Sequence, residues 1–160
     1  MNIYCNVTIT AWMNPNPVQI GGYTSIFCKG YQSSYTGYEF QFNAANKFQF
    51  RINPTSSSTV YVPGTSAEIV RGSWQQGGAV YNGTNITFYR NGLMTSSHAA
   101  GGQLYPAPGQ NARLGSYVSA VDYQFNGTLD ELRISSVARS ADWIKAEYGQ
   151  TYVVGSEQAN

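Results

Sequence analysis

Charge is scarce in this chain. Lys, Arg, Asp and Glu together make up 11% of its 160 residues, well under the usual quarter of a soluble domain. The six Arg and three Lys are scattered and the formal net charge is +1. No basic stripe is available to track a phosphate backbone, which argues against a nucleic-acid partner. Histidine is scarcer still. His98, the single one, sits in the loop-like TSSHAAGG, and no G-x-S-x-G occurs, so a Ser-His-Asp triad has no footing. One His and two distant Cys do not make a zinc ligand set either. Cys5 and Cys28 allow either one bridge, pinning the first strand to the second, or two unpaired, partly buried thiols. No apolar run is long enough to span a bilayer. The opening MNIYCNVTITAWM lacks a basic n-region and a continuous apolar core, so it does not read as a signal peptide, and any secretion signal is expected outside this chain.

What the chain has is aromatics, at 14%, with 13 Tyr among them, and 17 Gly with many Asn, Ser and Thr. Aromatic and β-branched residues suit strands, and the small polar ones suit turns. Period-2 alternation runs from end to end. NVTITAWM (6–13) alternates Val7, Ile9 and Ala11 with Thr8, Thr10 and Trp12, and Pro15 and Pro17 stop it. YTSIFCKG (23–30) is a second strand. YEFQF (38–42) and KFQFRI (47–52) flank NAAN and predict a hairpin with Tyr38, Phe40 and Phe42 facing Phe48, Phe50 and Ile52. STVYV (58–62) and AEIV (67–70) follow. GGAVYNG (77–83) and NITFYRNG (85–92) predict a second hairpin turning at Asn82-Gly83. The stretch 93–111 reads as loop. NARLGSYV (111–118) and TLDELRI (128–134) are late strands, SADWIKAEY (140–148) is a short helix with Ser140 as N-cap and Gly149 as stop, and TYVVGSE (151–157) reads as one more strand. Many short strands with frequent turns predict a sandwich or barrel of about one domain, residues 1–160, with 155–160 as tail.

Five stretches, in order, carry a resemblance to the LamG-like, concanavalin A-like jelly-roll domains. ITAWMNP (9–15) is similar to "ISAWVKP", IFCKG (26–30) to "ILSKG", and GSWQQGGAVYNGTNITFYRNG (72–92) to "GTWHHVAATYDGSTLRLYVNG". RLGSY (113–117) is similar to "RIGSY". FNGTLDELRISSVARSADWIKAEY (125–148) is similar to "FNGTIDEVRISNVARSADWIKAEY", the most specific match. The resemblance implies an all-β, antiparallel two-sheet jelly-roll sandwich with one short C-terminal helix near 140–148, packed on the sandwich edge by Ala141, Ile144, Trp143 and Tyr148. It also places Trp12 and Trp74 in strand motifs, as core. The chain departs from the family in two places. Only MNIYCNV precedes the first shared strand, so the module is either shortened or uses Asn2–Val7 in place of the family's first strand. The family's frequent Asp in "YDG" is Asn82 here, which weakens a ligand or metal role at that turn.

Hydrolases with this fold need two carboxylates on one face. This chain has no E-x-D-x-x-E, and Asp130 and Glu131, as neighbours on a strand, are expected on opposite faces. The expectation is therefore a module that is not an enzyme. Calcium, which many domains of this fold hold, wants several oxygen ligands, and the candidates are Asp122, Asn126 and Asp130. No cofactor is required by this reading; Ca2+ is the one considered. The plainer roles are turn-amide acceptance for Asp130 and a cross-strand pair with an Arg for Glu131. N-x-S/T sequons occur at Asn6, Asn82, Asn85 and Asn126 and matter only in a host that glycosylates secreted proteins.

Tyrosine in loop-like places is the unusual resource. It offers a flat apolar face and a polar tip, as sugar stacking requires. Tyr31, Tyr35, Tyr105, Tyr117 and Tyr123 are the candidate carbohydrate-binding residues, with Asn, Gln and Asp supplying hydrogen bonds. The resulting expectation is a carbohydrate-binding, lectin-like module of a larger secreted or cell-surface protein, partnered with poly- or oligosaccharide and with other domains of its parent. A protein-interaction or adhesion module is the alternative, and a glycoside hydrolase the third reading.

Overall fold

The computed structural model describes residue 3 and residues 5–18, 22–30, 36–55, 58–64, 69–117 and 123–157. Ten strands and one helix lie among them: β1 (Val7–Pro15), β2 (Tyr23–Lys29), β3 (Tyr38–Asn43), β4 (Phe48–Thr55), β5 (Ser58–Pro63), β6 (Gln75–Tyr81), β7 (Asn85–Arg90), β8 (Leu93–Ala99), β9 (Ala112–Leu114), β10 (Gly127–Ser135) and α1 (Ala141–Glu157). The strands form two five-stranded sheets, in the orders β10-β1-β6-β7-β8 and β5-β4-β3-β2-β9. Every pairing is antiparallel. This is the expected two-sheet sandwich.

Alternation decides which face each strand buries. In β1, Val7, Ile9, Ala11 and Met13 enter the core, and Thr8, Thr10 and Trp12 face outward. In the β3–β4 hairpin Tyr38 pairs with Ile52, Phe40 with Phe50 and Phe42 with Phe48, all inside. Burying one such side chain stabilises the fold by roughly 1.5–3 kcal/mol. Phe48 stacks on Phe88 of the opposite sheet with ring centroids 6.2 Å apart, so aromatics hold the two sheets together. Gly77 makes room for them, because a Cβ there would lie 2.6 Å from both Met13 Cε and Phe48 Cζ.

The turns are built as their residues suggest. Asn43 Oδ1 accepts from the Ala45 and Lys47 amides, at 2.9 and 3.2 Å, and Asn46 takes φ 57°. Asn82 Oδ1 accepts from the Thr84 and Asn85 amides, at 3.0 and 2.8 Å, ahead of Gly83 at φ 91°. Asn82 is thus a turn former by its own side chain, the usual role of Asn in such turns.

Several expectations change. The helix does not stop at Gly149: it runs to Glu157, so TYVVGSE is helical and no terminal strand forms. Gly149 does not adopt the positive φ that ends helices; it is tolerated inside α1 at roughly 1 kcal/mol. At the other end Ser140 Oγ caps the Trp143 amide at 3.2 Å, as expected. The helix sits on the outer face of the first sheet, across its middle strands, and not on an edge. Ile144 packs with Val80 and Tyr89, Glu147 Oε1 accepts from Thr10 Oγ1 at 2.8 Å, and Tyr148 stacks on Trp12 at 5.6 Å. This i, i+3, i+4 stripe seats the helix; Ala141 is exposed and does not.

Part of the expected loop 93–111 is strand β8, and it carries His98 opposite Ile86. Of AEIV, Ala67 and Glu68 lie outside the described residues, and Ile69 and Val70 are not in a strand. Trp74 is not core but 47% exposed, just before β6. Cys5 and Cys28 are free, one exposed and one buried, so the bridge does not form. Among the described residues no helix is long and apolar enough to cross a membrane.

Candidate functional site

The outer face of the second sheet is polar yet buried. Ser25, Glu39, Gln41, Gln49, Arg51 and Asn53 are all under a tenth exposed. Register places them in rows across the strands. Arg113, Cys28, Glu39 and Arg51 stand side by side on β9, β2, β3 and β4; Ser25, Gln41 and Gln49 form the next row; Tyr23 and Asn43 form the third. Strands lie about 4.8 Å apart, so side chains in a row touch.

Arg51 organises the first row. It is fully buried, and its guanidinium has five N–H donors to place. Nε donates to Glu39 Oε2 at 3.3 Å. Nη1 donates to the Thr36 carbonyl at 3.1 Å and to Asn53 Oδ1. Nη2 donates to the Gly30 carbonyl at 3.3 Å and to Cys28 Sγ at 3.8 Å. Nothing is left over for a ligand, so Arg51 is a clamp that fixes Glu39. Burial pushes the Glu39 carboxyl above its ordinary value, and Arg51 pulls it part of the way back. The Cys28 thiol is pushed up to about 12, chiefly by burial and then by Glu39.

The second row is less complete. Gln41 Nε2 donates to Gln49 Oε1 at 2.5 Å. Gln41 Oε1, Glu39 Oε1 and Ser25 Oγ are buried without a hydrogen-bond partner. Ser25 favours the charged form of Glu39, although its Oγ makes no hydrogen bond of standard geometry. Native interiors leave few such groups, because each costs roughly 1–3 kcal/mol.

Tyrosines stand over this floor. Tyr117 is half-buried, and its ring lies 5.9 Å from the Arg51 guanidinium. Tyr117 and Tyr123 have centroids 5.4 Å apart, and Tyr123 and Tyr23 5.5 Å apart. The chain of rings starts at Arg51 in the first row and ends at Tyr23 in the third. The backbone explains the position. The Gly115 amide donates to the Ile26 carbonyl, and the Ser25 amide to the Tyr123 carbonyl, at 3.0 and 2.8 Å. Both ends of the segment 115–123 are thereby tied to the edge of β2. Tyr123 adopts φ 49°, an unusual value for a bulky residue.

Of the five tyrosines expected, Tyr117 and Tyr123 come together here, and Tyr31 and Tyr35 lie outside the described residues. Tyr105 is 41% exposed but stands apart from the three rings. Its backbone ties the loop to the far end of the sheet, accepting from Gly37 and donating to Asn53. Tyr23, Glu39, Gln41 and Ser25 were not among the expected residues. The signal for Glu39 and Gln41 was present: they are the polar positions of a hairpin whose other face is five aromatic rings and Ile52.

Two of the three calcium candidates, Asn126 and Asp130, lie among the described residues. Asp122 lies outside the described residues, among which no three of His, Cys, Asp and Glu come together. Asp130 Oδ1 accepts from the Glu131 amide at 2.8 Å, its expected plainer role. Asn126 Nδ2 donates to the Val18 carbonyl at 3.3 Å. Asp130 and Glu131 do share a face, against expectation. A β-bulge sets Glu131 at φ 48° opposite Ala11, so both side chains point outward while Leu129 and Leu132 point in. Glu131 then pairs with Arg133 at 2.8 Å, on its own strand. Among the described residues Glu39 is the one carboxylate on the tyrosine-covered face.

Solved structures with the same fold include the Ruminococcus gnavus IT-sialidase CBM40 bound to alpha2,3 sialyllactose, with a TM-score of 0.73 at 13% identity over 91% of this chain and 84% of that one. A native heptameric SAP-like pentraxin from Limulus polyphemus follows at 0.65 and 14%, over 91% and 71%. The botulinum neurotoxin serotype G binding domain scores 0.66 at 12%, over 94% of this chain and 37% of that one. No curated protein sequence matches. The family model for the concanavalin A-like lectin/glucanases superfamily, Laminin_G_3, matches residues 5–145, and the chain belongs to that family.

Proposed function

We propose that this concanavalin A-like domain is a non-catalytic carbohydrate-binding module, acting in a secreted or cell-surface protein, and that its site is the outer face of the second sheet. The observation that carries this reading is the run of three tyrosine rings, Tyr117, Tyr123 and Tyr23, over a buried polar floor. Aromatic faces match the C–H faces of sugar rings, and unpartnered polar atoms beneath match their hydroxyls. Among the described residues this face carries one carboxylate, Glu39, whereas glycoside hydrolysis uses a pair. The solved CBM40 with sialyllactose offers a precedent on the same fold.

Retention of the protein on polysaccharide columns and on a glycan array tests this. Tyr117→Ala and Tyr123→Ala should each weaken retention about tenfold or more, by analogy with stacked anchors elsewhere, with little change in Tm. Variants of both that bind as the parent does would move the site elsewhere. A second reading, protein adhesion, rests on exposed Val18, Val70 and Trp74. Hydrogen bonds from Gly72 to Pro15 and from Arg71 to Asn16 bring their two loops together at one end. Glycan retention lost in Trp74→Ala but not in the tyrosine variants would move the sugar site to that end.

A further inference from the structure

We propose that the selecting element of this site is its strand floor: Glu39, Gln41 and Ser25 accept hydrogen bonds from sugar hydroxyls, so the ligand is a glycan with free, unsubstituted hydroxyls facing the sheet. The proposal rests on the carbohydrate reading of this face and goes beyond it, since stacking alone would accept any ring with an apolar face.

Three side chains of adjacent rows carry it. Glu39 and Gln41 are two apart on β3 and so point the same way, and Ser25 stands directly opposite Gln41 on β2. Each is nearly or fully buried, and each keeps one oxygen with no partner. Arg113 Nε, in the first row, is a buried donor that also lacks a partner; the remaining named atoms are committed. Glu39 Oε2 is held by Arg51, Gln41 Nε2 by Gln49, and every Arg51 donor is taken. Glu39 Oε1 and Gln41 Oε1 can only accept, and Ser25 Oγ can accept or donate. A group that supplies donors to this floor and also fits beneath aromatic rings is a polyol ring. A methyl ether, a ketone or a carboxylate at the same place supplies none. Tyr117 lies against Arg51 at the first row and Tyr23 stands in the third.

The test uses the whole chain and defined probes: cello-, laminari-, manno- and xylo-configured hexasaccharides, α2,3-sialyllactose, and the per-O-methylated form of whichever binds best. Methylation removes every hydroxyl donor and keeps the ring faces. Affinity for the methylated form should fall at least tenfold, measured by calorimetry or interferometry. Gln41→Ala and Ser25→Ala should each lower affinity for the free glycan about three- to tenfold, and neither should change the residual affinity for the methylated one. Glu39→Gln is a further probe, but it leaves Arg51 short of its charge partner, so the two neutral variants decide. Full binding of the methylated glycan, or neutral variants that bind as the parent does, would mean the floor holds water and overturn the inference while the carbohydrate reading stands. Binding to none of the probes would overturn both.

Discussion

Replacing Arg51 by Met tests whether the buried clamp is structural. Arg51 and Glu39 are 0% and 1% exposed, and the guanidinium places donors on five acceptors. Met fills part of the volume but leaves the Glu39 carboxylate buried without its counter-charge. Breaking a buried pair from one side costs about 3–5 kcal/mol. For a domain of this size about 2–4 °C of Tm goes with each kcal/mol, so the fall should be roughly 6–20 °C at pH 8. The pH sets a second condition. Glu39 is already raised by burial, and Arg51 is the first opposing influence. Its removal raises the carboxyl further, so Glu39 in the variant takes up a proton on mild acidification. A raised folded-state pKa means stability that is present at low pH and lost as pH rises through it. The penalty of Arg51→Met should therefore shrink from pH 8 to pH 5.5. Urea unfolding at the two pH values gives both numbers, and the double variant Glu39→Met with Arg51→Met should recover much of the loss. A penalty below about 1 kcal/mol at pH 8, or the same penalty at both pH values, would refute the account of the clamp.

Trp12→Ala should cost about 2–4 kcal/mol, because Trp12 stacks on Tyr148 beneath α1; Trp74→Ala, at an exposed position, should stay within about 0.5 kcal/mol, and equal effects in urea melts would contradict the packing. One thiol, exposed Cys5, should label readily in the native protein, and Cys28, buried with its pKa near 12, only on unfolding; two fast thiols, or none, would disagree. Glu39 and Glu147 are both raised from 4.5, each mainly by burial, so their contribution to stability is full below about 4.5 and declines as pH rises above it. Cooling of Tm on acidification from pH 7 to pH 5 would count against this. EDTA should leave Tm and glycan retention unchanged, since Asn126 and Asp130 alone do not make a calcium site; a drop reversed by calcium would show an ion site that includes Asp122.

The sandwich was legible because alternation with aromatic and β-branched residues reports one buried face per strand. Tyr38, Phe40 and Phe42 against Phe48, Phe50 and Ile52 are a pattern that a single register satisfies. The ends of elements were less legible, and α1 shows why. Gly149 ends a helix only if it takes a positive φ and the chain beyond has somewhere to go. TYVV has the β-branched content of a strand, but propensity is weak next to a helix already seated by Ile144, Glu147 and Tyr148.

The site divides in the same way. Loop tyrosines announce themselves by composition, and Tyr117 and Tyr123 do meet over one face. Glu39, Gln41 and Ser25 do not announce themselves, because a polar residue on the second face of a hairpin strand reads as solvated. Alternation says which side a residue faces but not what covers that side. Here a segment tied to β2 through Gly115 and Tyr123, residues remote in sequence, carries tyrosine over the polar face. Glu39 is 1% exposed on that face, held by Arg51. The same burial that hid these residues from a strand-by-strand reading leaves their oxygens unpartnered, and it is this deficit, more than the tyrosines themselves, that points to hydroxyl donors as what the face would take.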